Sequence, residues 1–511
     1  MFVKETNAII RLIVEGNVQL KINLGGAKME LFTNAMNNLN SIVWSMALVA
    51  LCLGAGIWFS TRMKFPQIRL FKDMVKLLVG GKKTEDGITP FQAFASTVGS
   101  RVGMGNIAGV ATAIFFGGPG AIFWMWVIAF IGAGSAFVES ALAQAYKIKD
   151  KDGQYLGGPA YTIERGLKCK PYAIAFAIAT VLGPGILMPG LHVNSIASTY
   201  EEAFGANMIV VAVIFCIVFA LVICGGIKRI ASVAELMAPV MCVVYVIMGF
   251  AVIFINIDRV PATFALIVSS AFGVNQVFGG VLGSAIAWGV KRGIYSNEAG
   301  QGSGAIVSSA AECSHPAKQG LVQAFSVYID TLIVCTTSAL IILLTDTFNT
   351  VGPNQKTMIH EGILGVEYGI RWAQNALNRA YTGTWGGKLL AIVIIMFVFT
   401  SLMGYYYQAE ANIRYLFKGK KAAVWAMRII FLASAFSGVL VNGQIIWTMG
   451  DIGAGMMAWL NIISILLLSN KGFALLKDYE KQKKEGKDPV FHPEEFGIDD
   501  ETKVWEKYQN Q

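Results

Sequence analysis

Between residues 99 and 120 the chain reads Gly99-Ser-Arg-Val-Gly-Met-Gly-Asn-Ile-Ala-Gly-Val-Ala-Thr-Ala-Ile114 and then Gly117-Gly-Pro-Gly120. The stretch is apolar enough to enter a bilayer and too rich in glycine to cross it as one regular helix. A glycine costs a helix about 1 kcal/mol relative to alanine, and Gly99, Gly103 and Gly105 flank the charged Arg101 and the polar Asn106. Backbone opened inside hydrocarbon is tolerated only where protein buries it or where it lines a cavity, and helices broken near the midplane are one means by which membrane proteins hold a solute and an ion. The segment therefore predicts a transport site.

Composition fits that setting. The 511 residues are 55% hydrophobic and only 14% charged, well below the charged content of a soluble domain. A net charge of +9 would suit nucleic acid if it were concentrated, but the basic residues fall in short segments between apolar runs, where a polytopic membrane protein carries its cytoplasmic charge. Cysteines at 52, 169, 216, 224, 242, 313 and 335 form no Cys-x-x-Cys pair and mostly sit in apolar runs, so they read as reduced, small apolar residues. Histidines at 192, 315, 360 and 492 are scattered and suggest no metal cluster.

Apolar runs fall near 41–60, 91–116, 120–146, 173–200, 207–227, 232–256, 272–290, 321–345, 387–414, 424–441 and 444–470; against a hydrocarbon thickness of roughly 30 Å they predict about eleven spans. Lys and Arg counts in the connections place 61–90 and 147–170 inside. Alternation then puts Lys228/Arg229, Lys291/Arg292 with Lys318, and Arg414/Lys418/Lys420/Lys421 inside as well. Glu201-Glu202 and the 346–386 connection fall outside. The resulting topology has the N-terminus out and the C-terminus in. Residues 1–28 are too charged for a signal-peptide core, and Met29 is a candidate start. The tail from 471, dense in Lys, Glu and Asp, reads as a solvated extension.

Setting the first span aside leaves ten. Two halves of five must then lie in opposite orientations, as inverted repeats require. The first members, 91–116 and 272–290, are both interrupted by glycine, the second through Gly273, Gly279, Gly280 and Gly283, which makes Gly279 and Gly280 candidates for a second break and for the substrate-binding site. The third members, 173–200 and 387–414, share unusual polarity, through His192-Val-Asn-Ser195 and through Thr400-Ser401 with Tyr405-Tyr-Tyr-Gln408. Small and hydroxylated residues also serve plain helix packing, but their matched positions favour a site. Ser401 and Tyr405, four apart, share a helix face. Arg101, Glu139 and Asp330 lie within spans, where a charge is a functional candidate by default; Glu139 is placed to pair with Arg101, and Asp330 to steer a cation, carry a proton or link helices.

The motifs Phe91-Gln-Ala-Phe94, Gly103-Met-Gly-Asn-Ile-Ala-Gly-Val-Ala-Thr112, Gly157-Gly-Pro-Ala-Tyr161, Asn194-Ser-Ile-Ala197, Gly289-Val-Lys-Arg-Gly293, Ser296-Asn-Glu-Ala-Gly300, Gln319-Gly320, Asp330-Thr331 and Glu410 resemble the alanine or glycine:cation symporters over about 30–470. Ser100-Arg-Val, Phe137-Val-Glu-Ser140 and Leu142-Ala-Gln144 look most like the glutamine/alanine branch. The resemblance implies an all-α polytopic membrane protein with a five-plus-five inverted repeat of leucine-transporter type and one additional N-terminal helix. Its parts would be an extension (1–40), an additional helix (41–60), a basic cytoplasmic segment (61–90), two repeats (91–256 and 257–470) and a cytoplasmic tail (471–511).

The resemblance also implies roles. A small neutral amino acid would be held through the amides of Met104 and Gly105 within the Gly103–Asn106 break, with His192, Asn194, Ser401 and Tyr405 around it. Sodium, the only cofactor, would bind the carbonyls of Gly99 and Val102 and the hydroxyls of Thr400 and Ser401, a neutral-oxygen set suited to a hard cation. Three residues depart from the family pattern: Met104 stands where threonine is usual, His192 where glutamine is, and Tyr405 where tryptophan is. Tyr405 and His192 predict a side-chain pocket enlarged or polarised relative to an alanine carrier. The implied location is the prokaryotic plasma membrane. Proton coupling through Asp330 or Glu139 and a passive channel are the competing readings. An enzyme is disfavoured by the absence of His-Glu-x-x-His, Gly-x-Ser-x-Gly and phosphate-loop motifs.

Overall fold

The computed structural model describes residues 30–79, 87–151, 153–354, 356–441 and 443–509; the candidate start at Met29 lies outside them. The described chain is helical nearly throughout. Its strands form two small antiparallel hairpins, Ile148–Lys149 with Tyr155–Leu156 and Asn349–Val351 with Met358–Glu361. Seven of the described helices are long and apolar enough to cross a membrane, among them Gly120–Ala145, Gly226–Ile255 and Trp385–Leu416. Lipid-facing stripes are visible on their outer sides. On Gly226–Ile255 the exposed residues Leu236, Val240, Val243, Ile247, Phe250 and Phe254 recur every three or four positions, the period of one helix face.

Local chemistry sets where the helices start and break. Thr89 opens Pro90–Arg101 with a capping box: its hydroxyl accepts from the Gln92 amide at 3.0 Å, the Gln92 side chain accepts from the Thr89 amide at 3.0 Å, and Pro90 needs no partner for a missing N–H. That helix stops at Val102, whose backbone is extended, and resumes as a wide π-turn, Gly105–Gly109, followed by Val110–Gly117. Lys170–Leu182 and Pro189–Phe204 are likewise joined through a π-turn, Gly183–Leu187, with Pro184 near its start.

The second broken helix differs from expectation. Leu282–Asn297 runs intact through the end of the 272–290 segment, and the interruption falls at Glu298–Gly302, before Ser303–Ser309. Glu298 (φ 54°), Gly300 (φ 87°) and Gly302 (φ 86°) adopt the left-handed region that no helix interior tolerates. Gly273, Gly279 and Gly280 instead form a turn leading into Leu282–Asn297. Lys291 and Arg292, expected in a basic loop, are buried inside that helix because both pair with Asp451 of Gly443–Leu467. The tail is not a solvated extension: Ser469–Lys484 packs on Gly120–Ala145, and Phe491 and Trp505 are buried. Its face of the molecule is called the tail side below.

Candidate functional site

At the first break, the Gly103 amide freed from the helix donates to Asn106 Oδ1 at 2.8 Å, and the Asn106 amide donates back to the Gly103 carbonyl at 3.1 Å. Asn106 thus holds the loop open from within. Gly103 has no room for a side chain, since a Cβ there would overlap Ser401 Oγ and lie 3.6 Å from His192 Nε2. Gly105 is equally close-packed, 3.1 Å from Ser296 Cα of the other broken helix by the same construction. The His192 ring meets Tyr405 edge-on at 5.1 Å. Because His192 Nδ1 lies 3.2 Å from the Met188 carbonyl, it carries the proton in the neutral ring and leaves the Nε2 lone pair toward Gly103.

Of the four oxygen-bearing positions expected to hold a cation, Gly99, Thr400 and Ser401 lie together. Ser401 Oγ donates to the Gly99 carbonyl at 3.4 Å, and Thr400 Cβ is 3.0 Å from where a Gly99 Cβ would stand. The Thr400 proton engages the Met396 (2.9 Å) and Phe397 (3.1 Å) carbonyls of its own helix, which leaves oxygen lone pairs for another partner. Val102 and Met104 are buried at the break. Asn194 turns away, donating to the Gly438 carbonyl at 2.9 Å and lining the vestibule described below. Gly279 and Gly280 do not join the site: Gly280 faces open space, and a Cβ on Gly279 would meet only Gly273.

The second break brings a residue that the sequence reading passed over. Glu298 is buried, accepts from Ser303 Oγ at 2.6 Å and lies near the Tyr405 side chain. It belongs to the pocket. The available signal was an acidic residue among Asn297, Gly300 and Gly302 in an apolar run, the same combination that marked the first break. Glu139 reaches in from Gly120–Ala145: its Oε2 accepts from the Gly302 amide at 3.0 Å and from Asn461 at 2.7 Å, while Asn461 also donates to the Gly300 carbonyl at 3.0 Å. Arg101 Nη2 stands 4.0 Å from Glu139 Oε1, and Nη1 donates to the Gln323 carbonyl at 3.2 Å and to Ser326. The expected Arg101–Glu139 pairing is therefore present, fully buried.

Asp330 joins both breaks. Its carboxylate accepts from Asn106 at 2.6 Å, from Ser296 at 2.9 Å and from Thr331 at 2.7 Å. The π-turn Tyr328–Cys335 presents it, widening its own helix where the two broken helices cross.

A vestibule of about 650 Å³ opens on the side opposite the tail, lined by Phe115, Asn194, Ser195, Tyr368, Arg371 and Trp447 and reaching Ala108 beside the first break. Beside it Arg292 grips Asp451 with two parallel bonds, at 2.7 and 3.0 Å, and Lys291 adds a third at 2.7 Å. Trp447, Trp288 and Tyr295 stack on the Arg292 guanidinium at 4.9, 5.3 and 5.4 Å. Sequence reasoning missed this cluster because Lys291-Arg292 imitates a loop.

Two helices broken opposite each other inside the membrane, around a buried polar pocket that a vestibule reaches from one side, define a membrane transporter. The profile described as "Sodium:alanine symporter family" matches residues 29–493, and the chain belongs to that family, one of transporters and not of enzymes. It is 45% identical over 440 residues to the "Sodium/proton-dependent alanine carrier protein" of Bacillus sp. (strain PS3), covering 85% of this chain and 97% of the relative. It is also 45% identical over 455 residues to a Bacillus subtilis (strain 168) protein named "Probable sodium/glutamine symporter GlnT", covering 89% of this chain and 92% of the relative. Among solved structures, MhsT in complex with L-phenylalanine superposes with a TM-score of 0.54 at 13% identity, over 77% of this chain and 99% of that one, which establishes a shared fold.

Proposed function

We propose that the protein couples sodium entry to uptake of a small neutral L-amino acid, of the alanine, glycine or glutamine class, by alternating access. The observation that carries this reading is the convergence of Gly103, His192, Ser401 and Tyr405 on one break, with Gly99 and Thr400 directly beside them. The substrate carboxylate would meet the amides of Met104 and Gly105, at the positive end of the resumed helix. Sodium would take the Gly99 and Val102 carbonyls with the Thr400 and Ser401 hydroxyls. Bound there, the ion bridges the first broken helix and Trp385–Leu416, and so favours one arrangement of the two.

The architecture proposed is eleven spans, one additional helix followed by two inverted repeats of five. The tail side is assigned to the cytoplasm of a prokaryotic cell, which agrees with Lys149, Lys170, Arg414, Lys418 and Lys420 around one tail-side cavity and with Glu201 at the vestibule.

Radiolabelled uptake of alanine, glycine and glutamine into proteoliposomes tests the reading: accumulation should saturate and require an inward sodium gradient. Accumulation driven by a pH gradient without sodium would support proton coupling instead, and non-saturable flux a channel. His192→Gln with Tyr405→Trp, which restores the usual family residues, should shift competition toward alanine and glycine by on the order of tenfold, about 1.4 kcal/mol of differential binding.

A further inference from the structure

The tail-side ends of the two broken helices are knotted to each other. Ile88, just before the Thr89 cap, donates its amide to the Ala310 carbonyl at 3.1 Å, and the Glu312 amide donates to the Ile88 carbonyl at 2.9 Å. The Glu312 carboxylate also accepts from the Gly87 amide at 3.3 Å. Gly87–Ile88 leads into the first broken helix, and residues 310–312 follow Ser303–Ser309 of the second. The vestibule opens on the other side of the molecule.

The C-terminal tail is built onto the same junction. Lys507 Nζ binds Glu312 at 2.5 Å, on the carboxylate that also holds Gly87. The Phe491 amide donates to the Ser314 carbonyl at 2.9 Å, and Ser314 Oγ donates to the Pro489 carbonyl at 2.8 Å. Buried Trp505 packs edge-on against Phe491 at 4.9 Å, and its ring lies 5.0 Å from Lys147 Nζ, which in turn donates to the Ala311 carbonyl at 2.7 Å. The tail thus contacts the junction through an ion pair on Glu312 and two hydrogen bonds at Ser314, with an aromatic plug packed beside them on Lys147 and His315. A charged extension that merely kept the protein soluble would bury neither aromatic ring nor converge on this junction.

We infer that residues 485–509 are a latch on the tail-side gate: they hold the 310–314 junction closed, and their release accompanies opening to that side. The inference rests on the transport reading, but its principal test does not require transport. Cys313, buried within the junction, reports exposure. Its labelling by a membrane-impermeant maleimide is taken as the difference from Cys313→Ser protein. In detergent-purified full-length protein, Lys507→Glu should raise the Cys313-specific labelling rate at least severalfold, and adding Glu312→Lys should bring it back toward wild type. Trp505→Ala, which leaves the ion pair intact, should raise it as well. In a Cys313→Ser background, a disulfide between Ser314→Cys and Val490→Cys should stop turnover in proteoliposomes until reductant restores it. Labelling unchanged by both Lys507→Glu and Trp505→Ala, or undiminished turnover of the cross-linked protein, would overturn the latch. Changed labelling in a protein that transports nothing would leave the latch standing and remove the transport reading.

Discussion

The two breaks reach the same outcome by different means. The first is held mainly by its own residues: Asn106, three positions on, caps the freed Gly103 amide. The second has local caps too, Asn297 for the Ala299 amide and Gln301 for the Ile294 carbonyl, but it adds distant partners, with Glu139 accepting from the Gly302 amide and Asn461 donating to the Gly300 carbonyl. The second break also carries a carboxylate of its own, Glu298, near Tyr405. A break encoded locally can be found from a short motif; a break encoded by tertiary partners cannot, because its stabilising groups lie far along the chain.

The comparison is most exposed at Glu139. Replacing it by leucine leaves the Gly302 amide and Asn461 without their acceptor and Arg101 without its buried counter-charge. Breaking a buried ion pair from one side costs about 3–5 kcal/mol, so Glu139→Leu should lose most folded protein, read as a collapsed monodisperse peak and a lowered Tm in detergent. Glu139→Gln keeps an acceptor and should be milder. Next in size, Asn106→Ala removes the internal cap and one donor to Asp330. Each stranded buried group costs about 1–3 kcal/mol. The protein should still fold, with uptake reduced on the order of a hundredfold, as about 2.7 kcal/mol implies. If Asn106→Ala unfolded the protein while Glu139→Leu did not, the contrast between local and tertiary encoding would be reversed.

That contrast also explains what the sequence reveals. Gly103-Met-Gly-Asn106 exposed the first break because glycine and a capping amide are local signals. Thr400, Ser401, Tyr405 and His192 stood out because polarity is rare in apolar helices, and the Arg101–Glu139 pair because charge there is rarer still. The second break was displaced to Gly279–Gly280 by glycine density alone, although those residues only turn the chain. Lys291-Arg292 mimicked a basic loop, since its counter-ion Asp451 lies 159 residues from Arg292. The tail misled for the opposite reason: its composition is that of a solvated segment, and the apolar residues that dock it, among them Leu475, Leu476, Phe491 and Trp505, are diluted among charges.

A smaller effect is expected from pH at the tail. His315 caps Pro316–Val327 by accepting from the Ala317 amide through Nδ1 at 3.1 Å, and its Nε2 faces Asp478 Oδ2 at 3.1 Å. Burial holds the His315 pKa below its ordinary 6.5 despite Asp478, with Lys318 and Asp488 also facing the ring. Asp478, although partly desolvated, is kept below the usual carboxylate range by His315 and Gln482. Between the folded and unfolded values of His315 the unfolded chain binds more protons, so stability falls as pH drops below about 6.5 and levels off under the folded value. The Asp478 contribution is lost at still lower pH, in the same direction. A melting series from pH 7.5 to 5 should show the first decline. His315→Asn keeps an N-cap acceptor and should flatten it; an unchanged slope would assign the decline to other groups.

The smallest effect separates the true second break from the false one. Gly280 is exposed, lies in a short 3-10 turn at negative φ, and offers open space to a Cβ. Gly280→Ala should therefore leave uptake unchanged and stability within about 0.5 kcal/mol, as for other surface substitutions. Gly302→Ala forces a side chain into the left-handed region and against Pro159, and should impair both folding yield and uptake. The pair discriminates because the glycines differ in what surrounds them and not in their chemistry. Loss of uptake in Gly280→Ala would show that the turn at 273–281 moves during transport, and would restore it as part of the working site.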